Sequence, residues 1–321
     1  MILRITLRQL EYFVAAGEEG SIIGAAEKIS VSPPSISMAV SSLEREFGVQ
    51  LFVRRHAQGL SLTFAGRSLL EHSRQLLAQA QSLSSAAFDL GAQVRGQLKV
   101  GCLVTLAPMI LSELVHGFLQ AYPLIEADVV EGDQERLLQL LLRGDLDVAL
   151  AYDLQLHPSM RFRPLVCLPP HVLLGENHPL AKRPFLSLRE LAELDFLLLD
   201  LPLSSEYFLS LFRVAGVEPR IRYRCSSLEV VRTMVANGHG YSLANVLPRS
   251  DQALDGRRTV RIPLVGVHRP VTIGLLSLAA ARKSKLFLAF EAQCSDMITA
   301  DHVPGMAPPS TVQCSALTTV E

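Results

Sequence analysis

The apolar positions of the first fifty residues recur at intervals of three and four, which is the period of an amphipathic helix. Three such stripes are present: Leu7, Leu10, Phe13 and Val14; Ile22, Ala25, Ala26 and Ile29; and Ile36, Val40, Leu43 and Phe47. Gly17 and Gly20 interrupt the pattern after the first stripe, and Gly48 follows the third. Ser21 and Ser32 are of the residue types that cap helix N-termini. The pattern therefore predicts three short helices that follow one another closely.

A hairpin is predicted directly after these helices. The stretch from Leu51 to Thr63 has β-favouring residues at both ends and a polar turn between them. The interval 47–70 contains no Asp or Glu, but it contains Arg54, Arg55 and Arg67, and an acid-free basic ribbon suits phosphate contact. Three helices followed by a basic hairpin favour a winged helix-turn-helix, which places one helix in the DNA major groove. A small helical bundle without DNA contacts is the alternative.

A long helix with a narrow apolar stripe is predicted next. Its seam positions recur in alternating steps of four and three: Leu69, Ser73, Leu76, Ala80, Leu83, Ala87, Leu90 and Val94. A heptad seam of this kind favours the pairing of two helices. Pairing between two copies of the chain would match a two-fold related DNA site. A long helix that lies on its own domain is the alternative.

Strands alternate with helices in the second part of the chain. Strand-like segments LKVGCLV, IEADVVEG and DVALAY are separated by helical patterns at Pro108–Leu119 and Gln134–Arg143. A second αβ set spans residues 166–267, and a returning strand (Val271–Leu278) and a closing helix (Ser284–Cys294) follow it. This alternation favours parallel sheets with crossover helices, arranged as two α/β lobes with a hinged cleft between them.

Composition narrows the functional classes. The 321-residue chain is 49% apolar and has a net charge of −1, so DNA contact is expected to be local rather than spread over a basic surface. No segment resembles a signal peptide or a membrane span, which favours a cytoplasmic protein with no membrane partner. The five cysteines are scattered singly with no C-x-x-C pair, so neither a zinc site nor a disulfide framework is indicated, and neither a metal nor a cofactor is expected. Pro, Ser and Thr dominate without periodicity from Asp296, so residues 296–321 are expected to be a disordered tail.

Enzyme motifs are absent from the sequence. It contains no G-x-S-x-G elbow, no P-loop, no H-E-x-x-H and no G-x-G-x-x-G. Its nine histidines are dispersed. No catalytic residues are therefore predicted.

The whole order of segments resembles the LysR-type transcriptional regulators, from about Leu3 to Cys294. The matching segments are RQLEYFVAAGEEGSIIGAAEKISVS, PSIS, LEREFGVQLFVRR and LTFAG in the first part, and GDLDVALAY, ENHPLA and MVANGHGYSLAN in the second. The resemblance implies a homodimer-based, often tetrameric regulator, whose two-lobed, periplasmic-binding-protein-like domain binds a small organic effector. It implies that the effector-induced shape change passes through the linker helix to DNA bending. RNA polymerase is a further partner expected of such a regulator.

The expected fold class is α/β, preceded by a DNA-binding module. Residues 1–62 are expected to form the winged helix-turn-helix, 63–95 the linker and dimerisation helix, and 96–295 the effector-binding domain. Lobe I of that domain takes residues 96–165 and 268–295, and lobe II takes residues 166–267. Dimer contacts are expected at Leu69, Leu76, Ala80, Leu83, Ala87 and Leu90.

The residues expected to contact double-stranded DNA, at an interrupted inverted repeat, are Ser32, Pro33, Pro34, Ser35, Ser37, Met38, Arg54 and Arg55. Two of them depart from the family pattern. Family recognition helices commonly carry Gln where this chain has Pro33, and Gln is a bidentate reader of adenine. A polar or basic residue is usual near Met38, which offers only apolar contact, such as with a thymine methyl group. Base reading is therefore expected to shift toward the residues after Pro33, with Arg54 as a phosphate contact.

In the resembled family the effector lies between the lobes, near the loop after the first strand of the domain. The residues expected there are Leu103, Val104, Thr105, Tyr152, Asp153, Ser204 and Asn245. Free N–H groups at the start of the following helix favour an anion, and the Thr105 hydroxyl can add a hydrogen bond. Thr105 as an ordinary N-cap is the alternative. Asp153 would suit an effector with an amine or hydroxyl groups.

Two other functional classes stay open. A periplasmic solute-binding protein would share the two-lobed half, but it would lack the N-terminal module. A dimeric co-regulator or ligand-binding protein with degenerate base reading is the stronger alternative, because Pro33 and Met38 remove the usual base contacts. Arg54 and Arg67 favour a module that still binds DNA.

Overall fold

The computed structural model describes residues 4–55, 59–89, 94–281 and 283–308. The chain folds as two compact units, Met1–Gly91 and Ala92–Glu321. The side chains of Arg54, Arg55 and Ala87, and the whole of Leu90, lie outside the described part. The roles predicted for these four residues therefore stay predictions.

The first unit contains the predicted helices and hairpin: α1 (Leu7–Glu19), α2 (Ile22–Lys28), α3 (Pro33–Phe47), β1 (Phe52–Arg55), β2 (Gly59–Leu62) and α4 (Phe64–Asp89). The Ser21 hydroxyl caps α2 by accepting a hydrogen bond from the backbone N–H three residues on. Gly20 and Gly48 end α1 and α3 in the left-handed conformation, as predicted. Gly17 does not break α1, because it lies inside the helix where Leu70 approaches; a Cβ atom there would lie 3.1 Å from Leu70 Cδ1.

Most residues of the predicted stripes form the core of this unit, but Leu7 and Phe47, at the outer ends of α1 and α3, are 45% and 39% exposed. The buried residues are Leu10, Phe13, Ala15, Ala16, Ala25, Ala26, Ile36, Val40, Leu43, Leu51, Phe52 and Leu70. Phe13 and Phe52 meet edge to face with their ring centroids 5.5 Å apart, which ties α1 to the hairpin. Glu44 Oε1 of α3 accepts hydrogen bonds from the backbone N–H groups of Leu51 (2.8 Å) and Phe52 (3.3 Å). These two hydrogen bonds fix the start of the hairpin relative to α3.

The start of α4 packs on its own unit. Ser73 is buried, and Leu69 is partly buried against the core of the unit. Leu76 and Leu83 are 42% and 73% exposed, so the apolar stripe leaves the unit as α4 proceeds. Val94 is not helical and packs against the core of the second unit, so the predicted seam does not extend to it.

The second unit alternates strands and helices as predicted: β3 (Gly96–Leu103), α5 (Ala107–Ala121), β4 (Ile125–Gly132), α6 (Gln134–Arg143), β5 (Val148–Tyr152), β6 (Met160–Leu168), β7 (His171–Gly175), β8 (Asp195–Leu199), α7 (Ser204–Ala215), β9 (Arg220–Cys225), α8 (Leu228–Ala236), β10 (Ser242–Ala244), β11 (Thr259–Pro263), β12 (Val271–Leu278) and α9 (Lys285–Met297). The helix predicted near residue 188 is a single 3₁₀ turn, Leu188–Leu191. Strands β6 and β11 are absent from the prediction. In β6 the reason is Pro164, which lowers strand propensity but is tolerated at a sheet edge.

The sheets divide this unit into two lobes. Lobe I holds a five-stranded sheet in the order β4-β3-β5-β12-β6, in which β3 is parallel to β4 and β5. Strand β12 runs antiparallel to β5 and β6, so the sheet is mixed rather than wholly parallel. Lobe II holds β7 between β10 and β11, and β8 paired with β9. The chain crosses to lobe II between β6 and β7, at residues 169–170 instead of the predicted 165–166, and it returns between β11 and β12.

The segment after α9 is folded through residue 308, so the expectation of a disordered tail from Asp296 is wrong for this part. Three side chains there are 1–2% exposed: Ile298, Val303 and Met306. Arg249 N donates to Gly305 O (3.1 Å), and Ala307 N donates to Leu247 O (2.8 Å). The segment contains bends and a turn rather than a helix, so its buried residues show no helical periodicity. Residues 309–321 lie outside the described part.

Candidate DNA-binding and effector-binding sites

The start of α3 is exposed. Ser32 takes the predicted N-cap position, yet its hydroxyl does not cap the helix and lies 2.8 Å from Ser35 Oγ. Pro33 and Pro34 are exposed, and Met38 is 67% exposed. The predicted reading residues of α3 therefore lie on the outer surface of the unit, where a DNA base edge can reach them.

An open groove of about 820 Å³ runs between α1 and this part of α3. Its lining residues are Thr6, Arg8, Gln9, Tyr12, Ser35, Ser37, Met38, Ala39, Ser41, Ser42 and Arg45. Gln9 Nε2 donates to Ser42 Oγ (3.2 Å), which joins the two walls. Hydroxyl groups and two guanidinium groups line the groove, and no lining residue is Asp or Glu. Arg8, Tyr12 and Arg45 are not among the predicted DNA-binding residues. The position of α1 beside α3 cannot be read from the local pattern, and Arg45 looks like an ordinary exposed arginine in the sequence.

The hairpin has the predicted antiparallel register, with Phe52 opposite Leu62 and Arg54 opposite Leu60. Arg67, the third arginine of the basic interval, donates through Nη1 to Leu62 O at 3.0 Å. Arg67 thus braces the end of the hairpin, and Arg54 and Arg55 lie in β1.

A second cavity lies within the second unit and is formed by both lobes. Four predicted effector residues line it: Thr105 and Tyr152 from lobe I, and Ser204 and Asn245 from lobe II. The other lining residues are Leu154, Leu199, Tyr207, Phe208, Leu228, Ala244, Val246 and Val271. None of these eight is among the predicted site residues, because most are apolar positions that look like ordinary core in the sequence.

Three predicted effector residues do not line this cavity. Leu103 is 2% exposed within β3, and Val104 follows it. Asp153 Oδ1 accepts a hydrogen bond from Thr272 N (2.7 Å), and Asp153 Oδ2 accepts one from Arg269 Nη2 (3.2 Å). The Asp153 carboxylate therefore fastens the end of β5 to the start of β12.

A hydrogen-bonded chain of neutral groups orients the cavity wall. Asn245 Nδ2 donates to Leu168 O (3.0 Å) and to the Tyr207 phenol oxygen (3.2 Å). The Tyr207 hydroxyl in turn donates to Arg269 O (2.8 Å). Leu168 is the last residue of β6, directly before the first crossing between the lobes, and Arg269 lies in the second, so these hydrogen bonds link the cavity wall to both connections.

Burial sets the charge state of the wall. Burial raises the pKa of the Tyr152 phenol, which also hydrogen-bonds with the Thr105 side chain. Burial likewise raises the pKa of Tyr207, against the opposing effect of its hydrogen bond with Asn245. Both phenols are therefore neutral, and no charged side chain lines the cavity. Its volume is about 20 Å³, which is room for about one water molecule.

Neither metal chemistry nor a membrane span is indicated in the described part of the chain. No group of three or more His, Cys, Asp or Glu side chains there could hold a metal ion. No helix among those residues is both long and apolar enough to cross a membrane. Cys102 is fully buried, as expected for a small apolar residue.

Two family models match the chain along nearly all of its length. The model for the LysR substrate binding domain matches residues 91–298, and the model for the lysR family of bacterial regulatory helix-turn-helix proteins matches residues 7–67. The chain belongs to the LysR family of transcriptional regulators. As a LysR regulator it carries a helix-turn-helix DNA-binding domain in its first unit and an effector-binding domain in its second.

Solved and curated LysR proteins share this organisation. The crystal structure of HinK from Pseudomonas aeruginosa is 36% identical, with a TM-score of 0.62 over 92% of this chain and 99% of that chain. OxyR of Escherichia coli, a DNA-binding transcriptional dual regulator, is 29% identical over 274 residues, 85% of this chain and 89% of its own length. CbnR in complex with its target DNA, at 21% identity and a TM-score of 0.61 over 90% of this chain and 98% of that one, shows the shared fold alone.

Proposed function

We propose that this LysR regulator binds an interrupted inverted repeat in double-stranded DNA as a homodimer, and that a small organic effector bound between the lobes modulates that binding or the bending of the DNA. The cavity formed by both lobes carries the proposal. A ligand that contacts Thr105 and Tyr152 on one lobe and Ser204 and Asn245 on the other has an affinity that depends on the lobe arrangement. It therefore shifts the population of that arrangement.

The cavity wall favours an uncharged effector, or an uncharged part of a larger one. Its polar groups are neutral hydroxyl and amide groups, and apolar side chains surround them. An ionised group placed there would lose its hydration without gaining an opposite charge. Because the cavity holds about one water molecule, an organic effector requires the lobes to move apart.

A ligand screen with a matched variant tests this effector site. The full-length protein is screened by thermal shift against small aromatic alcohols, amides and carboxylates. The neutral compounds are expected to raise the unfolding temperature of the wild type and of the control Thr233→Val, whose side chain lies outside the cavity, but not that of Thr105→Val. If a neutral compound stabilises Thr105→Val as strongly as the wild type, Thr105 is not part of the effector site.

The exposed part of α4 supports dimerisation. Leu76 and Leu83, predicted seam positions, are 42% and 73% exposed, and water contact with such a stripe is unfavourable unless a second helix covers it. Leu83→Glu is expected to lower the molecular mass measured by sedimentation from that of a dimer or tetramer. Leu254→Glu, at an 83% exposed leucine of the second unit, serves as the control. A wild-type mass in Leu83→Glu would contradict the role of this stripe.

Peroxide sensing by the free thiols of Cys102, Cys225 and Cys294 is a less favoured function for this chain. Curated relatives include proteins named hydrogen peroxide-inducible genes activator. Peroxide reacts with the thiolate form of cysteine. Burial raises the pKa of these three thiols, which disfavours their thiolate form, whereas Cys167 is disulfide-bonded, contrary to the sequence expectation.

A further inference from the structure

We propose that Arg8 of α1 and Arg45 of α3 bind DNA phosphates beside the base-reading residues, so that the reading helix is held by the α1–α3 groove as well as by the hairpin. This contact rests on the proposed DNA binding and extends it to a surface that the helix-turn-helix motif alone does not indicate.

The charges of Arg8 and Arg45 are not compensated within the described part of the first unit. Lys28 and Arg74 of the same unit are paired with acids: Lys28 Nζ lies 2.8 Å from Glu19 Oε1, and Arg74 Nη2 lies 2.8 Å from Glu18 Oε1. Arg8 donates only to the Tyr12 hydroxyl, and Arg45 has no ion pair among the described residues. Two exposed guanidinium groups are therefore free to meet an outside anion.

The groove between them has the chemistry of a phosphate site. Contacts from proteins to DNA phosphates come from Arg and Lys and from the hydroxyl groups of Ser, Thr and Tyr. Ser41 and Ser42 add hydroxyl groups to the wall, and no lining residue carries a carboxylate that would repel a phosphate. The two guanidinium groups repel a cation and attract an anion, which favours a phosphate over a cationic partner.

Arg8 is held in position before any ligand binds. Its Nε donates to the Tyr12 hydroxyl at 2.9 Å, and its guanidinium carbon lies 5.8 Å from the centre of the Tyr12 ring. Restricting the long side chain in advance lowers the entropy cost of a later contact. Arg8 on α1 and Arg45 on α3 occupy opposite walls of the groove.

The spacing along α3 fits the dimensions of DNA. Met38 and Arg45 are seven residues apart, which places them on one face of the helix with about 10 Å between them along the axis. The major groove is about 12 Å wide. When Met38 faces the base edges, Arg45 therefore lies near the edge of the major groove, where the phosphate backbone runs.

The salt dependence of DNA binding tests the proposal. Each phosphate contact that is lost lowers the slope of log affinity against log salt by about 0.9. In the full-length protein, Arg8→Ala and Arg45→Ala are each expected to lower this slope by about 0.9, and the double variant by about twice as much. The affinity should fall by a similar factor for a selected duplex and for a random-sequence duplex. Arg8→Lys is expected to keep the wild-type slope, because a lysine also displaces a counterion.

Arg143→Ala controls for net charge, since it removes an exposed arginine from α6 of the second unit. Wild-type slopes in both Arg8→Ala and Arg45→Ala, in protein that binds DNA, would overturn this proposal and leave the proposed function intact. The proposal would also be overturned if Arg8→Ala and Arg45→Ala lowered the slope only as much as Arg143→Ala does. A wild-type protein that binds neither duplex would overturn both.

Discussion

The Gln155 side-chain amide donates a 2.6 Å hydrogen bond to Glu206 Oε2, which joins the loop after β5 in lobe I to the first turn of α7 in lobe II. Both loops hold a residue in the left-handed region, Gln155 at φ 44° and Leu203 at φ 64°. A non-glycine residue in such a conformation costs of order 1–3 kcal/mol, and strain of this kind clusters at ligand clamps and switches. Leu154 and Ser204, next to these two residues, line the cavity formed by both lobes. The bond is thus placed to hold the lobes closed beside it.

Removing this bond is expected to loosen both loops. In Glu206→Ala the amides of residues 153–157 and 203–207 should exchange with deuterium faster than in the wild type, because lobe opening no longer has to break the contact. Glu193→Ala, at another exposed glutamate of lobe II, should leave their exchange unchanged. Equal exchange in Glu206→Ala and the wild type would show that the bond does not restrain the lobes.

The segment after α9 is expected to contribute to the stability of the second unit, although it lies beyond the matched family domain. Gly305 has φ +68°, and a Cβ atom there would lie 2.6 Å from Met109 O of α5. Gly305→Ala should therefore cost about 2–4 kcal/mol, from backbone strain and from displacement of α5. Gly256, at φ +84° with open space around it, gives the matched control.

Thermal unfolding of the two glycine variants separates these effects. Gly256→Ala should show only the conformational cost, about 1 kcal/mol. A similar loss of unfolding temperature in both variants would mean that residues 299–308 are not packed against α5 in solution.

The stability of the second unit is expected to fall at mildly acidic pH because of His171. This histidine of β7 is 6% exposed. Burial, with a smaller effect of the Arg261 charge, lowers its pKa to about 3. In the unfolded chain a histidine has a pKa of about 6.5. Between these values only the unfolded state binds the proton, so stability is fully present above about pH 6.5 and declines as the pH falls toward 3.

Urea unfolding at pH 7 and pH 5 measures this effect. Proton binding to His171 in the unfolded state lowers the free energy of unfolding by about 2 kcal/mol from pH 7 to pH 5. His171→Leu should remove that part of the pH dependence, whereas His116→Ala, at an exposed histidine, should retain it. An unchanged pH dependence in His171→Leu would assign the acid sensitivity to other groups.

Local patterns predict the elements of this fold well. Helix α6 lies at the predicted Gln134–Arg143, because Asp133 caps its start and Gly144 ends it in the left-handed conformation. The sites depend on contacts that no local pattern contains. Asp153 turns to Arg269, 116 residues away, instead of facing the cavity. The Tyr207 side chain is held in the cavity wall by a hydrogen bond from its hydroxyl to Arg269 O, 62 residues away.

The same limit applies to the DNA-binding surface. The residues at the start of α3 could be named because a single helix carries them, but Arg45, farther along the same helix, looks like any exposed arginine in the sequence. Arg8 could not be added to them, since its position beside α3 depends on how α1 packs in the core around Phe13.

Selection of bound sequences from a randomised DNA pool, at two salt concentrations, tests most directly whether this chain is a sequence-specific regulator. We expect enrichment of an interrupted inverted repeat at both concentrations, because a dimer presents two reading helices related by a two-fold axis. Salt-sensitive retention without an enriched sequence would contradict it. That result would mean that Pro33 and Met38 have removed base reading, and that the chain acts as a co-regulator held on DNA by phosphate contacts alone.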